Sequence, residues 1–168
     1  MINIIMAISK NGVIGKDGGL PWHQVHDLNR FKELTWHRPV IMGRKTWESI
    51  PGILPFRIPI VLSRSGHLSY GALLATSLEQ ALKLVKPHSM VFIAGGRQVF
   101  TEGFHVARAA YITRIEAEVE GDVTFDLDSH LEGWKLLNKV CFDANDCNEY
   151  PYSFEWWRNG KLPGIRCR

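Results

Sequence analysis

The sequence predicts an α/β fold: a single-domain, mixed, mostly parallel twisted sheet with helices on both faces and an antiparallel C-terminal hairpin. Three observations carry this. The chain has 168 residues, close to the roughly 150 expected of one domain. Short, near-continuous apolar runs rich in β-branched residues recur between turn residues, as strands covered on both faces do. Segments with helical spacing lie between those runs, which is the pattern of crossover units.

In chain order, Ile2–Ser9 reads as the first buried strand. It lacks a basic leader and runs into a turn at Asn11-Gly12, which argues against a secretory signal. The loop KNGVIGKDGGLPW (10–22) holds four glycines and ends stiffly in Pro21-Trp22. It is either a mobile lid that excludes water from a site or a plain glycine-rich surface loop. Asp27–Thr35 places Leu28, Phe31 and Leu34 at helical spacing. Pro39–Gly43, Ile58–Ser63 and Met90–Ala94 read as further buried strands. Ser77–Lys86 reads as a helix through Leu78, Ala81, Leu82 and Val85, opened by the capping pattern Ser77-x-x-Gln80. A short helix is expected through Val99 and Phe100.

The last third alternates with period two, at Tyr111, Thr113 and Ile115 and again at Tyr150, Tyr152, Phe154 and Trp156. That predicts an antiparallel meander closing one edge of the sheet, with Pro151 suited to an edge strand. Glu116–Asp122 reads as a solvated strand end and loop. The domain is expected to span 1–157, with 158–168 a short tail.

Composition excludes several classes. A 45% hydrophobic and 22% charged chain is ordinary for a globular domain, and no apolar stretch approaches the roughly 20 residues of a membrane span. Cys141, Cys147 and Cys167 show no C-x-x-C spacing, so neither a disulfide scaffold nor a zinc site is expected, and a reducing cytoplasm fits. Twenty basic and 17 acidic residues give a net charge of +3, too weak and too dispersed for nucleic acid. The expectation is a cytoplasmic monomer with no metal and with neither a nucleic-acid nor a membrane partner.

Asp27 is the first chemical oddity, because it shares the apolar stripe of its helix with Phe31 and Leu34. A carboxylate facing a hydrophobic interior needs a partner and has its pKa raised, although an acid in a first helical turn also suits the macrodipole. Thr113 has the period to face inward and orient such a group. Three strand ends then carry groups suited to anions. Gly43 leads into Arg44, Lys45 and Thr46 at a helix start. Leu62 leads into Ser63-Arg64-Ser65, a hydroxyl–guanidinium–hydroxyl set. Ala94 leads into Gly95-Gly96, then Arg97, Gln98 and Val99, where paired glycines admit a pyrophosphate or simply make a turn. Ligands of open α/β sheets gather at such strand ends, so a dinucleotide with an additional phosphate is expected.

These residues resemble one family, the dihydrofolate reductases. The segments that carry the likeness are Ile5 and Ala7 in the first strand, Val13-Ile14-Gly15, Leu20-Pro21-Trp22, Asp27-Leu28 with Phe31-Lys32, and PVIMGRKTWESI (39–50). They continue in Leu54-Pro55 with Arg57, Val61-Leu62-Ser63-Arg64, Ile93-Ala94-Gly95-Gly96 and Tyr111-Ile112-Thr113. The resemblance implies hydride transfer from NADPH to C6 of 7,8-dihydrofolate, with protonation at N5, giving tetrahydrofolate. It implies Asp27, Trp22 and Thr113 at the pterin, with the Ile5 carbonyl, Leu28, Phe31, Lys32, Ile50, Leu54 and Ala94 around the substrate. Arg57 would clamp the glutamate α-carboxylate.

For the cofactor, the resemblance implies Ala7 and Ile14 at the nicotinamide carboxamide through backbone groups, with Val13, Gly15, Gly19, Leu20 and Leu62 also in the cofactor site. Arg44, Ser63 and Arg64 would hold the adenosine 2′-phosphate, while Gly43, Lys45, Thr46 and Gly95, Gly96, Arg97, Gln98 and Val99 carry the pyrophosphate and adjacent backbone. It also implies a cis Gly-Gly bond, and it makes antifolate inhibitors plausible ligands without giving the sensitivity to them. Three positions depart from the family pattern: Ala94 is smaller than usual, Arg97 replaces a small residue, and Gln98 replaces a base. The competing readings are a reductase of another pteridine or pyrimidine, which Arg57 disfavours, and a folate-binding module without turnover.

Overall fold

A computed structural model describes residues 1–65, 71–85 and 90–161. The strands are β1 (Ile2–Ser9), β2 (Val13–Gly15), β3 (Pro39–Gly43), β4 (Ile58–Leu62), β5 (Leu73–Ala75), β6 (Val91–Ile93), β7 (Ala109–Ile115), β8 (Val123–Thr124), β9 (Trp134–Phe142) and β10 (Tyr152–Asn159). The helices are α1 (Val25–Thr35), α2 (Arg44–Ser49), α3 (Leu78–Lys83), α4 (Arg97–Val106) and α5 (Leu127–His130).

Eight strands form one sheet in the order β5-β4-β3-β6-β1-β7-β10-β9, and β2 pairs with β8 separately. The pairings from β5 through to β7 are all parallel, and β10 runs against both of its neighbours. The central strands are apolar on both faces because both are covered. On one face Ile4, Met6, Ile8, Ile41, Ile60, Ile93 and Ile112 pack with Val99, Phe100 and Phe104 of α4 and with Phe125 and Leu127. The other face is split between a cluster around Val40, Met42, Trp47 and Val61 and one around Trp22, Ile115 and Tyr152.

Several expectations need correction. The loop 10–22 is not structureless: β2 pairs with β8, and Lys16 and Gly19 close a small hairpin. β7 is not part of an antiparallel meander on both sides. It follows α4, a crossover helix, and so lies parallel to β1; only β10 opposes it. Its period two arises because Tyr111 and Thr113 face a polar site rather than solvent. β10 is not the edge, since β9 covers it, and Pro151 lies just before the strand, where its missing N–H costs no ladder bond.

β10 also continues through Arg158 and Asn159, where Asn159 Nδ2 donates to the Ala107 carbonyl at 3.0 Å. β4 stops before Ser63 and β6 before Ala94. Ser77 is the cap of α3 rather than part of it, accepting from Gln80 N–H at 3.1 Å. Gln80 reaches back to Thr76 N–H, one residue earlier than the capping box requires. α4 runs for 10 residues, well past Phe100. Lys86 and residues 162–168, including Cys167, lie outside the described residues.

Candidate active site

Asp27 sits in the first turn of α1, whose cap residue Gln24 makes no side-chain capping bond. The carboxylate does not cap the helix either. It turns toward the sheet and accepts a hydrogen bond from Thr113 Oγ1 at 2.6 Å. Burial pushes the Asp27 carboxyl above its ordinary 3.8, opposed in part by the Thr113 hydroxyl and by the charges of Arg30 and His26. Thr113 is buried on β7, so the acid and its partner are brought together across the α1–β7 packing, as the sequence predicts. Trp22 is buried nearby in the cluster that includes Ala7, and its indole N–H has no protein acceptor.

Phe31, Ile50, Leu54 and Ala94 pack against the cluster of Val40, Met42, Trp47 and Val61. Leu28 is 52% exposed, as a wall facing an open cleft would be. At the far end, Arg57 donates from Nη1 to the Pro55 carbonyl at 2.7 Å, and its guanidinium lies 5.6 Å from the Trp36 ring centroid. Burial lowers the Arg57 pKa, yet an arginine starting so high stays cationic. Lys32 is exposed, with Nζ at 5.7 Å from the same ring.

A second cleft, about 550 Å³, opens at the carboxyl ends of β3 and β4 and past β6. Gly43, Arg44, Lys45, Thr46, Leu62, Ser63, Arg64, Gly96, Arg97, Gln98 and Val99 line it together. Between the two clefts, α2 gives Trp47 to the apolar cluster and Thr46 to the polar one. The Gly95-Gly96 bond is cis, and Gly43 N–H donates to the Gly95 carbonyl at 2.8 Å. Gly95 has φ +134, and a Cβ there would lie 3.2 Å from Thr46 Cγ2, so a side chain is excluded. α4 starts without a side-chain cap, which leaves first-turn amides for an anion. Cations, hydroxyls and a close-approaching backbone in one cradle fit a pyrophosphate with an additional phosphate.

Not every predicted contact is a side chain. Val99 is 7% exposed and turns into the main core, leaving little side-chain surface on the cleft. Val13 is equally buried, and Ile14 packs on the main core. Ile5 lies buried in β1, Gly15 and Gly19 belong to the β2 hairpin, and Leu20 is 48% exposed beside it. Arg44 is paired with Glu48 at 3.2 Å, and Gln98 with Glu102 at 3.1 Å.

Sequence reasoning missed several residues. Thr76 and Ser77 also line the polar cleft, beside the expected Ser65. Gln24 is buried and ties the start of α1 to Tyr150, donating to its carbonyl at 2.8 Å. Arg30 lies against Asp27 and Thr113; its i+3 spacing from Asp27 was the available signal. Among the described residues no three His, Cys, Asp or Glu side chains are grouped to hold a metal ion.

Comparison with known proteins decides the family. The model of the dihydrofolate reductase family matches residues 1–159. The chain belongs to the dihydrofolate reductase family. It is 39% identical over 155 residues to the type 3 dihydrofolate reductase of Salmonella typhimurium, covering 92% of this chain and 95% of that one. It is 38% identical over 156 residues to the Bacillus subtilis dihydrofolate reductase, covering 92% of each. Among solved structures, the Enterococcus faecalis dihydrofolate reductase complexed with NADP(H) and RAB-propyl superposes with a TM-score of 0.87 at 33% identity. That match covers 96% of this chain and 97% of the other. Arg30 is a charged group beside the acid that the family motifs quoted above do not include.

Proposed function

We propose that the chain is an active NADPH-dependent dihydrofolate reductase, converting 7,8-dihydrofolate to 5,6,7,8-tetrahydrofolate. The observation that carries this is the half-buried Asp27–Thr113 pair beside an apolar cleft, one helix away from a cation-rimmed cradle for a phosphorylated dinucleotide. When bound, NADPH supplies the hydride that reduces C6.

The residues of the chain do the rest. Asp27, ionised, has acceptor capacity left after its bond from Thr113 and takes two hydrogen bonds from the 2-amino group and ring nitrogen of the pterin. Its negative charge, in a site poor in water, favours the cationic form of the substrate and so promotes protonation at N5. Trp22 offers its unclaimed indole N–H at the same place. Leu28, Phe31, Ile50, Leu54 and Ala94 exclude water around the rings, and Arg57 takes the glutamate carboxylate in a planar, forked contact. Gly43, Lys45, Thr46 and the 95–99 turn hold the pyrophosphate, while Arg44, Ser63 and Arg64 hold the 2′-phosphate. The β2 hairpin, with Ala7 and Leu20, borders the nicotinamide.

In this reading the working unit is one chain, and a cytoplasmic place is supported by the free, exposed Cys141 and Cys147. Antifolates that copy the pterin's hydrogen-bonding edge compete at Asp27. The test is to mix protein, NADPH and dihydrofolate and follow NADPH oxidation. Oxidation stoichiometric with tetrahydrofolate is expected, and folded protein that oxidises no NADPH would overturn the proposal.

A further inference from the structure

Arg30 stands one turn after Asp27 on α1 and points at the sheet. Its Nη1 donates to the Ile112 carbonyl at 3.1 Å and to Thr113 Oγ1 at 3.3 Å, and Nη2 donates to the Glu155 carbonyl at 3.5 Å. The guanidinium carbon lies 4.1 Å from the Phe154 ring centroid and 6.0 Å from that of Tyr111. Thr113 Oγ1, which receives Arg30, is the same atom that donates to Asp27 Oδ1 at 2.6 Å.

We propose that Arg30 is a positioning residue for this reductase: it aims the Thr113 hydroxyl proton at Asp27 and supplies the fixed positive charge beside that carboxylate. The inference rests on the reading of Asp27 as the substrate-binding acid. A hydroxyl has one proton and two lone pairs. With an arginine N–H directed into a lone pair, the proton cannot turn toward Arg30 and is committed to the carboxylate. The groups that face Asp27 are His26 and Arg30 from α1, Thr113 from β7, and Tyr152 from β10. Tyr152 is engaged with His26, Oη to Nδ1 at 2.5 Å, and its phenol is pushed up by burial and by the Asp27 charge. Of this set, Arg30 alone remains charged throughout the working pH range.

Asp27 is also the carboxylate the guanidinium senses. The Glu155 carboxylate is engaged elsewhere, by Arg114 Nε at 3.2 Å, Lys139 Nζ at 3.2 Å and Trp157 Nε1 at 2.8 Å. Arg30 meets only the Glu155 backbone.

The test uses Arg30→Met and Arg30→Lys in the full chain. Carbon-13 carboxyl NMR of the ligand-free protein reads the Asp27 titration directly. In Arg30→Met the midpoint is expected to move to higher pH, with Arg30→Lys between that variant and wild type. The KM for dihydrofolate at neutral pH should rise about tenfold in Arg30→Met, the pH profile of kcat/KM should move with the NMR midpoint, and NADPH affinity should stay unchanged. A folded Arg30→Met protein whose Asp27 titrates as in wild type overturns the proposal. If Arg30→Met does not fold, Arg30→Lys decides: it keeps the charge and loses the fork, so an unchanged KM and midpoint overturn the proposal. Because the titration needs no substrate, a displaced midpoint in a protein that reduces no dihydrofolate would remove the functional reading while the coupling of Arg30 to Asp27 stood, so the two failures are distinguishable.

Discussion

Replacing Asp27 with Asn should make the ligand-free protein more stable near neutral pH while disabling it. Asn keeps the shape of the side chain and an oxygen that can still accept from Thr113, now 2.6 Å from Asp27 Oδ1. What it removes is a charge whose largest perturbation is desolvation, which raises the carboxyl above 3.8. Between 3.8 and the folded midpoint, the folded protein therefore holds a proton that the unfolded chain has already released. Stability is fully present below 3.8, falls across that window by at most about 1.4 kcal/mol per pH unit, and reaches a lower plateau above the folded midpoint. Asn has no such titration. The variant-minus-wild-type difference should be level in acid, grow across the same window and level off above it.

Two effects moderate the gain. Asp27 borders the cleft, where water screens its charge. Arg30 loses its Coulombic partner in the variant, although it keeps two backbone carbonyls and the Phe154 face. Urea unfolding of both proteins across pH 3–8 measures the difference. Single-turnover hydride transfer at neutral pH should fall by about 10²-fold or more, recovering in part with a substrate already protonated. A difference that does not vary with pH, or a variant less stable than wild type at neutral pH, would refute the assignment of Asp27 as a charge held against its desolvation cost.

Arg57→Lys should raise the KM for dihydrofolate about tenfold with little change in NADPH affinity, since an ammonium cannot reproduce a forked carboxylate contact; equal weakening of both ligands would contradict the assignment. Arg44→Ala combined with Arg64→Ala should lower the ratio of kcat/KM for NADPH over NADH about tenfold or more, and a preserved ratio would place the 2′-phosphate elsewhere. Gly121→Ala would set a Cβ 2.2 Å from Val13 Cγ1 and 2.6 Å from the Gly15 carbonyl. The β2–β8 pair must then part, at a cost of about 1–3 kcal/mol in urea unfolding; unchanged stability would mean the hairpin is not held by that contact.

β1 and β3 were legible to the residue, because an apolar run closed by turn-forming residues specifies a doubly covered strand. The short strands β2, β5 and β8 were not, since two or three residues carry no period. β9 escaped for a different reason. Its stretch WKLLNKVCF is exposed along most of its length, with lysines and apolar residues on both faces, as suits an edge strand guarded by charge. Its presence decides that β10 is internal. The anion cradle was visible as three weak signals at three strand ends, and the parallel order β4-β3-β6 is what makes them one cleft.

The same dependence explains why the burial of Asp27 was legible in the sequence and the inward turn of Arg30 was not. A carboxylate on an apolar stripe is costly wherever that stripe faces, so the acid announces itself from α1 alone. An arginine three residues later is an ordinary helix-surface residue unless a neighbouring strand supplies acceptors. Those acceptors are the carbonyls of Ile112 and Glu155, which the antiparallel β7–β10 register pairs directly. Phe154, next in β10, provides the aromatic face. Had β10 slipped by one residue, Phe154 would face the other side of the sheet and the guanidinium would lose its aromatic face. Arg30 is therefore a property of the strand pairing as much as of the helix. A substitution in β10 that shifts this register should disturb the Asp27 titration without touching α1, and carbon-13 carboxyl NMR of such a variant reads that displacement directly.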